Sequence, residues 1–180
     1  MRITRIFTGQ ELSPGQQLSL EPTAARHLVQ VLRLRPGAEL VLFNGDGHEY
    51  PARLESASKR GVDAMVLSRS GPEPESILDI HLCISVSRGE RMDYAIQKAV
   101  ELGVNAITPL FSKRGVVSLK GERLEKRQQH WRQVMISACE QSGRCRLPQL
   151  HASVELEELL ASPVAGLGLG SIVFSSTGAF

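Results

Sequence analysis

In residues 77–103, ILDIHLCISVSRGERMDYAIQKAVELG, an apolar run is followed directly by an amphipathic one, and this pair indicates the fold class. Residues 77–86 are apolar for most of their length, which predicts a strand buried on both faces, as in a parallel sheet. Residues 90–102 place Met92, Ile96 and Val100 on one side of a helix that ends at Gly103. The apolar run 106–111 predicts another strand. This order indicates a right-handed crossover in a parallel α/β sheet.

The rest of the chain extends this pattern in both directions. Downstream, we predict helices over 122–142 and 154–160 and a strand over 172–174. Upstream, short strand-like runs surround one predicted helix over 22–33, and the sequence NGDG at 44–47 predicts a turn between two strands. Residues 71–76, GPEPES, are typical of a linker. The sequence therefore predicts a compact β-barrel over 1–70, a linker over 71–76 and an α/β domain over 77–180.

Composition narrows the class of protein. The 180 residues are 42% hydrophobic and 22% charged, which is ordinary for a globular protein. No apolar run is long enough to span a membrane and the N-terminus has no apolar signal region, so we expect a cytoplasmic protein. Three cysteines at loose spacing favour neither a disulfide framework nor structural zinc. We expect Cys83 and Cys139 to be buried apolar residues, and no metal site.

Basic charge is concentrated in one segment. Residues 112–146 carry nine Lys or Arg against three Asp or Glu, although the net charge of the chain is only +2. Clustered basic side chains gain affinity for RNA or DNA by releasing counterions from phosphates. A solvated basic helix explains the same cluster equally well.

The predicted helix over 22–33 carries the first group of candidate RNA-binding residues. Helical spacing places Arg26, Gln30 and Arg33 on the face opposite the apolar residues, with His27 beside them. Arg35 follows in the turn, and Arg2 and Arg5 add basic charge near the N-terminus. Arginines spaced in this way can reach successive phosphates or stack on bases. A solvated helix face is the alternative.

Three further candidate segments follow predicted strands or end a helix. Residues 87–93, SRGERMD, open a helix directly after a buried strand, where open α/β sheets bind ligands and free backbone N–H groups suit an anion. Residues 111–115, FSKRG, follow the next strand, and residues 140–146, EQSGRCR, end the long helix. The alternatives are ordinary helix capping and complementing of the helix dipole.

Three motifs in a fixed order give a more specific interpretation. They are HLVQVLRLRPGAELVLFNGDGHEY, SRGERMDYAIQKAVELGVNAITPLFSKRGVV and ACEQSGRCRLP. Together they resemble the ribosomal RNA small subunit methyltransferase E family of the SPOUT superfamily. The resemblance implies a PUA-like RNA-binding barrel and a parallel α/β domain of the trefoil-knot type. It also implies homodimers that use S-adenosylmethionine to methylate N3 of a uridine in small-subunit ribosomal RNA.

The resemblance assigns roles to residues of this chain. It implies that the first domain grips RNA through Arg26, His27, Arg33 and Arg35, and that Arg88, Arg91, Gln141 and Arg144 lie toward the RNA side of the catalytic cleft. N3 of uridine carries a proton, so positive charge that favours its anion would assist methyl transfer. We hypothesise that Arg88 or Arg144 supplies that charge as the catalytic residue.

One departure from the family pattern concerns the cofactor. The GPEGG loop and the LGxRILRxETA segment that hold the cofactor in the family do not occur in this sequence, so no cofactor-binding residue can be assigned. We therefore expect an incomplete α/β domain that stops where the knot would begin. The alternatives are a truncated, non-catalytic RNA-binding module and a structural dimerisation protein.

Overall fold

The computed structural model describes residues 3–58, 61–71, 75–112, 119–161 and 172–174. The chain divides into two compact units. The first contains Met1–Pro74 together with Cys139–Leu147, and the second contains Glu75–Ala138 and Pro148–Phe180. The predicted domain ranges did not place Cys139–Leu147 with the N-terminal residues. Among the described helices, none is both long enough and apolar enough to cross a membrane.

A five-stranded mixed sheet forms most of the first unit. Its strands are β1 (Thr4–Phe7), β2 (Gln17–Ser19), β3 (Glu39–Phe43), β4 (Tyr50–Ser58) and β5 (Gly61–Val66), in the spatial order β1-β3-β4-β5-β2. β1 runs parallel to β3, whereas the other neighbours are antiparallel. The predicted turn at 44–47 does connect the antiparallel strands β3 and β4. Leucine, valine and alanine side chains from these strands pack with Leu28 into one core.

The predicted single helix over 22–33 is wrong in its second half. An α-helix, α1, spans Pro22–Arg26, and a π-helical segment follows over His27–Val31. The Leu32 N–H donates to the His27 carbonyl five residues earlier, and the Leu34 N–H donates to the Leu28 carbonyl. Arg33, two residues beyond the segment, adopts φ +53°, in the left-handed region that a non-glycine residue enters at a cost of about 1–2 kcal/mol. Because the hydrogen-bond spacing changes after α1, the predicted α-helical periodicity does not continue through Arg33.

A parallel sheet forms the centre of the second unit. Its strands are β6 (His81–Ser85), β7 (Ala106–Phe111), β8 (Gln149–Leu150), β9 (Val154–Glu155) and β10 (Ile172–Phe174). β6 lies between β10 and β7, and the short strands β8 and β9 both pair with β7. The predicted fold class, a β-rich unit with a parallel α/β unit, is confirmed. Residues 162–171 and 175–180, where the knot of the resemblance would begin, lie outside the described residues.

The strand over 77–86 was predicted too long. β6 begins at His81, and Ile77 and Leu78 are exposed, so apolar character alone did not indicate burial at these two positions. The predicted helix over 154–160 is also corrected, because Val154 and Glu155 pair with β7 before a helix, α4, begins at Leu156 and ends at Ala161.

The two long helices follow the predicted bounds closely. α2 spans Glu90–Glu101 and buries Met92, Ile96 and Val100, and α3 spans Glu122–Ser142. Trp131, Met135 and Ala138 are buried along α3 at the i, i+4 and i+7 positions of one helical face. The predicted burial of Cys83 and Cys139 is confirmed.

Two histidines stack within the second unit. The rings of His81 and His151 lie 4.8 Å apart between centroids at an interplanar angle of 23°, and His81 Nε2 lies 2.7 Å from the Thr108 hydroxyl oxygen. Burial lowers the pKa of His81, the charge of His151 lowers it further, and Asp79 opposes the shift. The folded protein therefore binds a proton at His81 less readily than the unfolded chain does.

We expect the second unit to lose stability in mild acid because of this histidine. Since the pKa of His81 is lowered on folding, the unfolded state takes up the proton first as the pH falls through the ordinary histidine pKa of about 6.5. The free energy of unfolding should therefore fall from pH 7.5 to 5.5 in urea titrations, and less steeply in His81→Gln. His48→Gln removes a histidine of the first unit and serves as the control. Equal slopes for His81→Gln and the wild type would contradict this expectation.

Candidate functional site

Four exposed basic residues, Arg26, His27, Arg33 and Arg35, lie close together along the chain in the first unit, and we call them the exposed basic face. The side chains of Arg26, His27, Arg33 and Arg35 are all exposed on α1, on the π-helical segment or just beyond it. Val31 is also 65% exposed, so the face offers an apolar surface beside its charges. A π-helical turn and a strained arginine are features that occur often at functional sites. Cationic and apolar groups together suit contact with phosphates and unstacked bases.

The end of α3 belongs to the same unit. The Gly143 N–H donates to the Cys139 carbonyl, and Gly143 adopts φ +92°, which ends the helix and turns the chain back. Gln141 is exposed, Arg144 is half-buried and Cys145 is fully buried. We call residues 140–146 the EQSGRCR segment. Cys145 is therefore packed inside the first unit, whereas the side chains of Gln141 and Arg144 lie at or near its surface.

Glu140, the first residue of this segment, is hydrogen-bonded to β1. One of its carboxylate oxygens accepts a hydrogen bond from the Phe7 N–H at 3.1 Å. Burial raises the pKa of the Glu140 carboxyl, and the Phe7 hydrogen bond and the charges of His27 and Arg5 oppose the shift. His27 therefore lies within electrostatic range of Glu140, which links the exposed basic face to the EQSGRCR segment inside one unit.

Most of the Arg5 side chain is buried against other residues of the first unit. Its guanidinium donates to the Gly143 carbonyl at 2.9 Å, forms an ion pair with Glu49 and lies 5.3 Å from the centroid of the Phe43 ring. Its side chain is only 11% exposed. Arg5 therefore stabilises the packing of the first unit, whereas the arginines of the exposed basic face have their side chains in solvent.

In the second unit, Arg88 and Arg91 lie at the start of α2, just beyond the carboxyl end of β6. Both side chains are exposed. Gly89 precedes the helix at φ +60°, and the first turn contains Glu90 and Asp93, which complement the positive end of the helix dipole. Asp93 also accepts a hydrogen bond from His130 at 2.7 Å, which joins α2 to α3.

The structure thus groups most of the predicted site residues within the first unit. Gln141 and Arg144 share that unit with the exposed basic face, whereas Arg88 and Arg91 belong to the second unit. Arg2 and residues 113–115 lie outside the described residues. The sequence analysis missed Glu49 and, although it included Glu140 in the candidate segment 140–146, it did not predict that these two carboxylates hold the EQSGRCR segment. No local signal could have identified them, because their partners are more than forty residues away along the chain.

Comparisons with known families agree with this architecture. Residues 73–173 match the model of an RNA methyltransferase domain, and residues 20–67 match the model of the PUA domain of RNA methyltransferases. The first match covers more than half of the chain. The second falls on the unit that carries the exposed basic face.

Individual relatives point to the same family. A solved ribosomal RNA small subunit methyltransferase E from Neisseria gonorrhoeae, bound to S-adenosyl methionine, is 38% identical with a TM-score of 0.86, over 96% of this chain and 78% of that chain. A putative methyltransferase from Legionella pneumophila, in complex with the bound cofactor SAM, is 40% identical with a TM-score of 0.89, over 94% of this chain and 70% of that chain.

A curated relative shows how much of the family's length is present. The ribosomal RNA small subunit methyltransferase E of Buchnera aphidicola from Schizaphis graminum is 34% identical over 83% of this chain, and this chain spans about three fifths, 61%, of that relative. The family resemblance drawn from the three sequence motifs is confirmed. This chain belongs to the RNA methyltransferase family, and within it to the ribosomal RNA small subunit methyltransferase E group.

Proposed function

We propose that the protein containing this chain transfers a methyl group from S-adenosylmethionine to N3 of a uridine in small-subunit ribosomal RNA. The observation that carries the proposal is the close likeness to two solved methyltransferases that were crystallised with this cofactor, at 38% and 40% identity. We further propose that the protein works in the cytoplasm as a homodimer. Its substrate is the ribosomal RNA or the assembled small subunit.

The first unit supplies the features expected of an RNA-binding surface. Arg26, Arg33 and Arg35 present cationic groups and His27 an imidazole over a short distance along the chain, and Gln141 presents an amide on the EQSGRCR segment. Guanidinium groups can donate two parallel hydrogen bonds to a phosphate or stack on a base. This surface supports recognition of a folded RNA by shape and charge.

The described residues do not by themselves form a cofactor site. S-adenosylmethionine needs polar partners for its amino-acid end and a slot for its adenine, and ligands of parallel sheets bind beyond the carboxyl ends of the strands. At that edge the described residues offer the half-buried Ser87 and Ser112 and the exposed Arg88. The residues that follow β7 and β10, 113–118 and 175–180, lie outside the described residues. No cofactor-binding residue is therefore assigned.

The chemistry at uridine places a clear demand on the protein. The N3 proton must pass to a base supplied by the solvent, and the resulting anion must be stabilised where water competes least. Arg144 is half-buried and its backbone carbonyl lies 3.4 Å from the Arg5 guanidinium, whereas Arg88 is exposed. A partly desolvated charge stabilises an anion more than a fully solvated one does. We therefore favour Arg144 over Arg88 as the residue that stabilises the uridine anion.

Two measurements on the full chain test the proposed function. Isothermal titration with S-adenosylmethionine should show 1:1 binding, and incubation with unmethylated small subunits should yield N3-methyluridine, detected by mass spectrometry of digested RNA. RNA binding with a steep salt dependence but no cofactor binding would instead support the non-catalytic RNA-binding module. Absence of both would overturn the proposal. S-adenosylhomocysteine in place of the cofactor is the control for the methylation assay.

A further inference from the structure

The contacts of Arg5 connect the first strand of the chain to the EQSGRCR segment. One terminal nitrogen of the guanidinium, Nη2, donates to the Gly143 carbonyl at 2.9 Å and lies 3.4 Å from the Arg144 carbonyl oxygen. The same nitrogen lies 3.2 Å from the Cys145 sulfur. A single side chain therefore contacts three consecutive residues about 140 positions away in the sequence.

Glu49 fixes the other side of this guanidinium. Its carboxylate pairs with Arg5 Nη1, and the Cys145 thiol lies 4.0 Å from the same carboxylate oxygen. The two charged side chains are 11% and 21% exposed, so solvent screens the pair weakly. The planar guanidinium also lies over the Phe43 ring, which restricts its tilt. Glu49 and Phe43 therefore orient the Arg5 guanidinium that contacts the EQSGRCR segment.

The turn at 44–47 receives the end of the same segment. Gly47 is buried at φ +92°, and a Cβ atom at this position would lie 3.0 Å from the Arg146 guanidinium. A Cβ atom at Gly45 would lie 3.8 Å from the Leu147 backbone nitrogen. The Gly45 distance is an ordinary van der Waals contact, and at Gly47 the flexible Arg146 side chain would have to shift. Both glycines adopt positive φ, the conformation that favours glycine at this turn. Residues of β1 and of this turn thus contact the EQSGRCR segment and the residue that follows it.

From this network we infer that Arg5, oriented by Glu49, is a positioning residue that fixes the EQSGRCR segment so that Gln141 and Arg144 can act on the RNA. This inference rests on the proposed function. The carbonyl oxygens of Gly143 and Arg144 are the groups that Arg5 contacts, so its influence passes through the backbone that carries the Arg144 side chain. A contact between Arg5 and the RNA is not required, which separates Arg5 from the exposed arginines.

The experiment measures RNA affinity in two backgrounds. The probe is transcribed small-subunit ribosomal RNA, titrated with the full chain at fixed salt. Arg5→Lys keeps the charge but loses the planar fork, so it should weaken binding about tenfold, a size typical of coupling within one network. In a Gln141→Ala, Arg144→Ala background, Arg5→Lys should cause no further loss. Arg53→Lys is the matched control, because Arg53 is an exposed arginine in the same unit that pairs with its neighbour Glu55.

A second variant covers the case in which Arg5→Lys does not fold. The double variant Arg5→Met, Glu49→Met removes both buried charges together, which is tolerated far better than removal of one partner. It should keep the wild-type circular dichroism spectrum and show the same dependence on background as Arg5→Lys. An equal loss of RNA affinity in the wild-type and the Gln141→Ala, Arg144→Ala backgrounds would mean that Arg5 contacts the RNA directly. That result would overturn this inference but leave the proposed function standing. A wild-type chain that does not bind the RNA would overturn the proposed function and this inference with it.

Discussion

Replacing Arg144 by alanine is expected to lower the rate of N3 methylation on small-subunit RNA by about 100- to 1,000-fold, the loss typical when one stabilising group is removed from a developing anion. Arg144 is half-buried, and the carbonyl groups on either side of its Cα atom belong to the stretch that Arg5 holds. Arg5 therefore holds the backbone from which the Arg144 side chain extends, which limits the reorganisation needed when the uridine anion forms. The measurement is a single-turnover rate at saturating RNA and cofactor.

Three variants distinguish charge stabilisation from recognition. Arg144→Lys keeps a positive charge and should recover part of the rate, whereas an effect limited to RNA affinity should disappear at saturating RNA. Arg88→Ala should cause a smaller loss, since the Arg88 side chain is exposed at the start of α2. An unchanged rate in Arg144→Ala would remove Arg144 from the mechanism, and a larger loss in Arg88→Ala would transfer the proposed role to Arg88.

The parallel α/β unit could be predicted from sequence because its signals are local. The bounds of α2 follow from the spacing of Met92, Ile96 and Val100 and from the glycine that stops the helix. β7 was predicted at its observed bounds because it is a mostly apolar run between a turn and a polar segment. In these cases each residue's environment depends on neighbours within one or two turns or one strand.

The features that the sequence did not reveal depend on distant partners. Ile77 and Leu78 are as apolar as the residues of β6, and only the three-dimensional packing decides that they stay exposed. The π-helical segment differs from an α-helix by a shift of one residue in hydrogen bonding, which the apolar pattern over 22–33 cannot resolve. β1 was missed because Thr4–Phe7 contains only two apolar residues and gains its place by pairing with β3.

The candidate site shows the same limit for charged residues. Arg5 and Arg26 look alike in the sequence, since each is a basic residue near apolar neighbours. The structure separates them, because Arg5 meets Glu49 and the Gly143 carbonyl while Arg26 remains exposed. Residue type predicts which groups can bind RNA, but long-range packing decides which of them are used to build the fold.

Trp131→Ala is expected to destabilise the second unit by about 3–5 kcal/mol, the cost typical of removing a large aromatic side chain from a core. Trp131 is 0% exposed and lies one turn from Met135, so the cavity would open in the middle of α3. Urea denaturation followed by far-ultraviolet circular dichroism measures the loss, and hydrogen exchange shows whether it is concentrated in the second unit. Tyr94→Ala is the control, because that ring is 64% exposed on α2 and its removal should cost far less.

Trp131→Phe separates packing from hydrogen bonding at the same position. Among the residues that the structure describes, the buried indole nitrogen of Trp131 has no hydrogen-bond partner. Phenylalanine removes this unsatisfied donor, whose burial costs about 1–3 kcal/mol, while it keeps most of the aromatic volume. The free energy gained by removing this donor should offset much of the cost of the small cavity that phenylalanine leaves. The free energy of unfolding of Trp131→Phe should therefore lie within about 1.5 kcal/mol of the wild-type value. A Phe variant as unstable as the Ala variant would show that the indole N–H does have a partner, and that α3 is held by that hydrogen bond as well as by packing.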